Sequence, residues 1–417
     1  MHILFLTDNF PPEVNAPASR TFEHCQEWIK AGLQVTVITG APNFPQGKVY
    51  PGYRNRLRQC ETIAGIRVIR VWTYITANEG FVKRILDYLS FMMSAILASP
   101  WVRKPDLVIG TSPQFFTACA AYAVSRMKRV PFVFELRDIW PESIKAVGAM
   151  GDSPLIRMFE KIEIFLYRKA ACIVSVTESF KRTLVKRGID AAKIEVVTNG
   201  VDITRFQPMV KDAELIARYG LEGKFVAGYI GTHGMAHALE TILDAAETLR
   251  HQPNGDLFRF ILLGHGARKD WLMQQAREKG LDNVIFIDSV SKEEVPRYWS
   301  LLDVSIIHLK KTSLFETVIP SKMFECMGMG IPILHGVYGE SAEIVERAQA
   351  GVVFEPENHQ DLCDKLERLR VNTEFFHQLR TSSLGAAKNY DRAELAKRML
   401  EILRGCQLVV GVSRQDT

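Results

Sequence analysis

The stretch Phe225-Val226-Ala227-Gly228-Tyr229-Ile230-Gly231-Thr232-His233-Gly234 decides the fold. An apolar run with β-branched residues reads as a buried strand, and it stops on glycines just ahead of a helical pattern that begins at about Ala238. Strand, glycine-rich turn and helix in that order make half of a βαβ unit. Forward of it the same alternation recurs at Phe258–Leu263, Val284–Ile287, Val304–His308, Ile331–Leu334 and Val352–Phe354. Behind it lie His2–Thr7, Gln34–Thr39, Leu107–Gly110, Phe132–Glu135, Cys172–Val176 and Glu195–Val197. Two such series predict an α/β protein of two doubly wound, Rossmann-like parallel-sheet domains. Their junction falls near 205–212, which assigns residues 1–207 to the first domain and 208–389 to the second. A helical tail from about 390, with Leu395, Met399, Ile402 and Leu403 on one stripe, is expected to pack back, and 411–417 to fray. Ligands of open sheets sit beyond the carboxyl ends of the strands, so the expected site is a deep cleft that the two domains face.

The 417 residues are 47% apolar and 24% charged, enough for two cores and unlike a disordered, collagenous or disulfide-stapled chain. Seven cysteines, none in a C-x-x-C pair, suit a reducing, cytoplasmic compartment and argue against structural zinc. The apolar run Ile3–Leu6 meets Thr7-Asp8-Asn9 too soon for a secretory leader. The uncharged run Tyr88–Val102 has 15 residues, short of the roughly 18 that span a bilayer. Charge is uneven: residues 1–200 carry 26 Lys and Arg against 17 Asp and Glu, whereas 201–417 carry 26 against 30. A basic first half expects an anionic partner. No nucleic-acid motif is present, which leaves the cytoplasmic membrane surface. The segment Phe81–Lys104 fits it: Lys83 and Arg84 precede Leu86, Leu89, Phe91, Met92, Met93, Ile96 and Leu97, and Arg103-Lys104 follow. It reads either as a helix in the headgroup region or as a buried packing helix.

Several loops carry candidate chemistry. Thr7–Arg20 follows the first strand and is stiffened by three prolines. Asn15, Ser19 and Arg20 are its candidate ligand contacts, with Ser19 expected to cap the next helix; the alternative is a rigid connector. Arg137-Asp138, just past a buried strand, sets a cation beside a carboxylate, either at the cleft mouth or as a structural ion pair. Gly231 and Thr232 offer backbone N–H groups to a diphosphate, and the loop Gly264–Lys269 adds Arg268 and Lys269 after the next strand. In Pro320-Ser321-Lys322-Met323-Phe324-Glu325-Cys326-Met327-Gly328-Met329-Gly330-Ile331-Pro332 a helix starting near Ser321 puts Lys322 in its first turn and Glu325 one turn on. Lys322 can neutralise phosphate while Glu325 accepts from a ribose diol, or the two form a plain intrahelical pair. The dinucleotide fingerprint G-x-G-x-x-G and the serine elbow G-x-S-x-G are missing. No His/Asp metal cluster is evident, so neither a metal nor a cofactor is expected.

Taken together, Asn199-Gly200-Val201-Asp202 before Phe206-Gln207-Pro208, the two glycine loops, Pro320–Pro332 and the opening Pro11-Pro12-Glu13 resemble the GT-B glycosyltransferases of family four. The likeness runs from Met1 to about Leu403 and is strongest to the WbuB-like branch of O-antigen and capsule assembly, some of them L-fucosamine transferases. The resemblance implies metal-independent, retaining transfer of a sugar, such as the amino sugar L-FucNAc, from a UDP-sugar donor. The implied acceptor is a saccharide on polyprenyl diphosphate at the inner face of the cytoplasmic membrane. It assigns Gly231, Thr232, Arg268, Lys269, Ser321 and Lys322 to the donor's diphosphate and Glu325 to its ribose. It assigns Arg137, Asp138 and Glu316, with Lys322, to the catalytic positions, and Asn15, Ser19 and Arg20 to the acceptor. The family's two glutamates are separated by seven residues; counting back from Glu325 gives Thr317, with Glu316 beside it. Its usual Arg and Lys after the glycine loop fall on Thr232 and His237. A GT-B nucleotide-sugar 2-epimerase and a nucleotide-sugar-binding protein without turnover would share this architecture.

Overall fold

The computed structural model describes residues 1–44, 46–76, 81–139 and 154–412. The chain divides into two compact units, Met1–Thr198 together with Arg392 onward, and Asn199–Asp391. In chain order the first unit holds β1 (His2–Leu6), α1 (Ala16–Lys30), β2 (Gln34–Thr39), β3 (Arg58–Ile63), β4 (Ile66–Val71), α2 (Phe81–Ala98), β5 (Leu107–Thr111) and α3 (Phe115–Lys128). It continues through β6 (Phe132–Leu136), α4 (Pro154–Lys169), β7 (Cys172–Ser175), α5 (Glu178–Lys186) and β8 (Ile194–Val196). Its eight strands run β3-β4-β2-β1-β5-β6-β7-β8, parallel except where β3 meets β4. β1 shows how the sheet is buried. Leu4 and Leu6 enter one core while Ile3 and Phe5 enter the other, as the period of two requires of a strand covered on both faces.

The second unit holds α6 (Ala213–Tyr219), β9 (Phe225–Ile230), α7 (Glu240–Arg250), β10 (Phe258–Leu263), α8 (Lys269–Glu278), β11 (Val284–Ile287), α9 (Val295–Trp299) and β12 (Val304–His308). After these come α10 (Lys322–Met329), β13 (Ile333–Gly336), α11 (Glu340–Arg347), β14 (Gly351–Val353), α12 (His359–Val371) and α13 (Thr373–Ala387). Its sheet order is β11-β10-β9-β12-β13-β14, parallel at every pairing. The chain returns to the first unit as α14 (Arg392–Val412), which buries Leu395, Met399 and Leu403 in that unit's core. The Trp28 indole of α1 donates to the Ala396 carbonyl at 2.9 Å.

Three features differ from the sequence expectation. The crossing lies at Thr198–Asn199, ahead of 205–212, because Val201 and Phe206 are buried in the second unit's core and the Val201 N–H donates to the Tyr390 carbonyl. The hairpin β3–β4 was not among the expected strands. Its Ile66-Arg67-Val68-Ile69-Arg70-Val71 looks amphiphilic because Arg70 is buried, bonding Glu61 of β3 and the carbonyls of Pro11 and Gly40. Third, α2 packs against the core along one stripe and leaves a second apolar stripe exposed. Phe91, Ala95 and Ala98 are buried in the core, while Leu86, Met93 and Leu97 stand exposed, Leu97 at 65%. Among the described residues no helix is long and apolar enough to cross a membrane.

Candidate functional site

β9 and β10 pair with Ile230 opposite Leu263, so their loops leave the sheet side by side at Gly231 and Gly264. Both glycines have positive φ, 149° and 146°, a region that side chains disfavour. Space is equally restrictive: a Cβ on Gly264 would lie 1.9 Å from the Gly231 carbonyl oxygen, and one on Gly231 would lie 2.7 Å from Lys322 Nζ. The glycines bring two loops and one lysine into contact. Gly264→Ala is therefore expected to cost roughly 1–3 kcal/mol, read as a melting temperature several degrees lower; unchanged melting would refute the close approach.

Lys322 opens α10, and its ammonium lies 3.6 Å from the centroid of the Tyr229 ring, a cation–π contact. Burial pulls its pKa down to about 7, opposed in part by Cys326 and Glu325. Two histidines share its surroundings. Burial pulls both His233 and His237 down to about 4; the charges of Lys269 and Lys322 add to it for His233, and that of Lys322 for His237. Both ring nitrogens of His233 and Nδ1 of His237 are buried without a hydrogen-bond partner. An ammonium held at low pKa among neutral imidazoles is an arrangement that an anion stabilises, but the Gly231 N–H expected to face a diphosphate donates instead to the Leu263 carbonyl at 2.9 Å, as the Gly264 N–H does to that of Ile287 at 3.0 Å. Spacing in the sequence did not single out these histidines; the one signal was that His237 stands where the resembling family has a lysine.

The neighbouring candidates separate into two groups. Glu325, one turn along α10, accepts from the Trp299 indole at 3.3 Å. Ser321 stands at the N-cap of α10 without a side-chain cap bond. The Arg268 guanidinium stacks 3.6 Å from the Trp271 ring centroid, with Glu240 3.9 Å away. Glu316 is exposed in the turn Phe315–Thr317. Lys269 is a correction: its ammonium is buried and donates to the carbonyls of Gly264 at 2.9 Å and Ile287 at 3.2 Å and to Asp288 at 2.5 Å. It braces the loop after β10 against the end of β11 instead of facing a phosphate.

In the first unit Asn15, not Ser19, caps α1. Its Oδ1 accepts from the Ala18 N–H at 2.9 Å, and its Nδ2 donates to Asn9 Oδ1 at 2.8 Å. Ser19 is buried within the helix. Arg20 is likewise internal: Nε donates to Glu135 Oε1 at 3.0 Å, Nη1 to the Thr198 carbonyl at 2.6 Å and Nη2 to the Val197 carbonyl at 2.9 Å. It clamps α1 to β6 and to the segment after β8, so it is no ligand contact. Arg137 and Asp138 follow β6, where Ser112 Oγ accepts both their N–H groups, at 2.8 and 3.1 Å. Arg137 also donates to the Pro17 carbonyl at 3.3 Å. Burial pulls its guanidinium down to about 10, against the attraction of Glu135. A cavity of about 200 Å³ opens here, lined by Asn15 together with Asp8, Asp87 and Gln114, three residues the sequence did not single out.

Two family models match the chain in order, "Glycosyl transferase 4-like domain" over residues 15–200 and "Glycosyl transferases group 1" over residues 224–372. An Escherichia coli (strain K12) protein named "Putative colanic acid biosynthesis glycosyl transferase WcaI" is 26% identical over 374 residues, 86% of this chain and 89% of that protein. Sucrose-phosphate synthase from Thermosynechococcus elongatus superposes with a TM-score of 0.78 at 14% identity, covering 98% of this chain and 99% of that one. Anabaena Alr3699/HepE, solved in complex with UDP-glucose, gives 0.71 at 16% identity, with 97% and 100% covered. The two structural likenesses show a shared fold of two parallel-sheet domains.

Proposed function

The chain belongs to the GT-B glycosyltransferases of family four, and from that premise we propose that it moves a sugar from a UDP-sugar to a lipid-diphosphate-linked saccharide in bacterial surface polysaccharide assembly, with retention at the anomeric carbon. The observation that carries this reading is Lys322, a low-pKa ammonium against the glycine loop at the carboxyl end of β9. Cleavage of the bond between sugar C1 and phosphate oxygen leaves negative charge on the diphosphate and positive charge on the ring. The acceptor hydroxyl forms the new C1–O bond on the face the phosphate leaves, and its proton departs with UDP. Fixed cations and N–H groups at the leaving oxygens are what such a transition state needs. Lys322 and Arg268 hold the diphosphate with the backbone of Thr232 and with Ser321, and Glu325 orients the ribose. Arg137, Asp138 and Glu316 position the transferred sugar and the acceptor, which Asn15 helps to hold. UDP as the nucleotide draws support from the UDP-glucose complex of the Anabaena protein, and polysaccharide assembly from the name of the E. coli relative. An N-acetylated amino sugar such as L-FucNAc is the first donor to try, on the WbuB-like motifs.

The reaction is proposed to need no metal; among the described residues no three His, Cys, Asp or Glu side chains are grouped to hold one. The test is UDP release from a panel of UDP- and GDP-sugars, with and without a polyprenyl-diphosphate-linked saccharide, in the presence of a chelator. Release that requires acceptor is expected. A changed sugar without acceptor would make the protein an epimerase, and nucleotide-sugar binding without release would make it a binding protein.

The protein is proposed to work at the inner face of the cytoplasmic membrane. The exposed Leu86, Met93 and Leu97 of α2 and Trp101 beyond it, with Lys83, Arg84, Arg103 and Lys104 at the two ends, support this. Replacing the four cations by Glu should abolish sedimentation with phosphatidylglycerol liposomes at unchanged circular dichroism. Undiminished binding would count against the membrane role.

A further inference from the structure

We propose that Tyr229 is a positioning residue of the donor site: its ring face holds the Lys322 ammonium and its hydroxyl fixes the turn at Thr232, so that a cation and a backbone N–H stand ready together for one phosphate. The proposal rests on the reading of this loop as the donor's diphosphate site and adds the residue that organises it.

The ring is the first observation. Tyr229 is fully buried near the end of β9, in the same core as Leu239, Leu243 and Leu262. The Lys322 ammonium lies 3.6 Å from its centroid. Two imidazoles flank the ring, His237 nearly perpendicular at 5.9 Å and His233 tilted at 6.0 Å. Among the described residues no carboxylate lies within ion-pair distance of this ammonium, and Glu325, one turn along α10, accepts from the Trp299 indole. The choice of partner matters chemically. A carboxylate would neutralise the ammonium and compete with an incoming phosphate, whereas a ring attracts the cation through its quadrupole and carries no net charge. Lys269 shows the contrast, since its ammonium is taken up by two carbonyls and Asp288. Holding a long side chain in place beforehand also spares the ligand the cost of ordering it.

The hydroxyl is the second observation. It donates to the Thr232 carbonyl at 2.8 Å, and the N–H of the same peptide unit, that of His233, donates to the His265 carbonyl at 3.0 Å. That peptide plane is held from both sides. The N–H of Thr232 itself has no hydrogen bond among the described residues. Both ends of Tyr229 meet beside it: a Cβ on Gly231 would lie 2.7 Å from Lys322 Nζ and 3.6 Å from the Tyr229 hydroxyl. Burial pushes the Tyr229 phenol further up, so it remains a donor.

The experiment is calorimetry of UDP binding to the full-length protein and its variants. Tyr229→Phe keeps the ring and loses the hydroxyl, and Tyr229→Leu loses both. The first should weaken UDP binding about threefold, and the second roughly tenfold further. Combined with Lys322→Met, the two variants should bind UDP alike to within about twofold, because the ring acts through the ammonium. A ring that only fills the core would leave the same difference in both backgrounds.

The pH profile is a second readout. The ionisable groups about Lys322 are Glu325 and Cys326 on α10, His233 and His237 in the loop after β9, and Tyr229. The histidines, pulled down to about 4, are neutral near pH 7, and Cys326, pushed up to about 12, is a thiol. Losing the ring removes support for the charged lysine. With Tyr229→Leu the alkaline fall in UDP affinity should therefore begin about one pH unit lower, and with Tyr229→Phe it should begin where the native chain shows it. UDP's own ionisation cancels in this comparison. Should Tyr229→Leu melt too low to be used, Tyr229→Met, whose flexible side chain fills the space, takes its place.

Variants that bind UDP as the native chain does, a difference between them that survives Lys322→Met, or an unmoved alkaline fall would overturn the proposal and leave the donor site standing. Failure of the native chain to bind UDP or any UDP-sugar would instead remove the transferase reading on which it rests.

Discussion

Lys322→Met is expected to lower turnover by a factor on the order of 10² to 10³, the usual loss when one preorganised group is removed from a developing negative charge. The melting temperature should stay level or rise, and this separates the role from a structural one. With the pKa of Lys322 depressed from 10.5 to about 7 in the folded chain, the buried ammonium opposes folding. That penalty is full below about pH 7 and fades as pH rises toward 10.5, so methionine removes a cost. A variant that loses folding and turnover together would undo the assignment.

The same pKa makes donor binding depend on pH in a definite direction. A bound diphosphate raises the pKa of the ammonium beside it, so binding takes up protons wherever free Lys322 is neutral. UDP affinity should be level below about pH 7 and fall by up to tenfold per pH unit above it, until the raised pKa of the complex is reached. Calorimetry in buffers of different ionisation heat, at about pH 8, should register the uptake. An affinity that stays flat from about pH 6 to about pH 9 would contradict contact between Lys322 and phosphate.

The second large effect concerns folding. Arg20→Ala should destabilise the first unit by about 3–5 kcal/mol, because it leaves Glu135 charged and buried without its partner. Only 1% of the Glu135 side chain is exposed, and its Oε2 already has no hydrogen-bond partner. The double replacement Arg20→Met with Glu135→Leu should recover most of the loss, since removing both charges removes the penalty. Denaturant unfolding of the three variants measures this. An Arg20→Ala protein that unfolds like the native chain and loses only acceptor binding would return Arg20 to the ligand contacts.

Both lysines and arginines of this kind look alike in a sequence. Lys269 and Lys322 each sit at the start of a helix that follows a glycine-bearing or proline-bearing loop. One donates to two carbonyls and Asp288, and the other is stacked on Tyr229 against Gly231. Which carbonyl or ring a long side chain meets depends on strands distant in sequence. The hairpin β3–β4 escaped notice for the same reason: Arg70 breaks the apolar pattern, and only its bonds to Glu61, Pro11 and Gly40 explain how a charge lies inside.

The sequence by itself determined the two parallel sheets, the glycine loops after β9 and β10, and the Lys322 to Glu325 spacing along α10. Burial on both faces writes a strand as an apolar run, and a turn or a helical step is set by neighbours within a few residues. Tertiary structure alone decided that Arg20 and Lys269 are internal braces, and that His233 and His237 gather around Lys322. It alone joined Asp8, Asp87 and Gln114 around one cavity. Burial and hydrogen-bond partners are properties of residues brought together across the whole chain, and they decide whether a polar side chain supports the fold or faces a ligand.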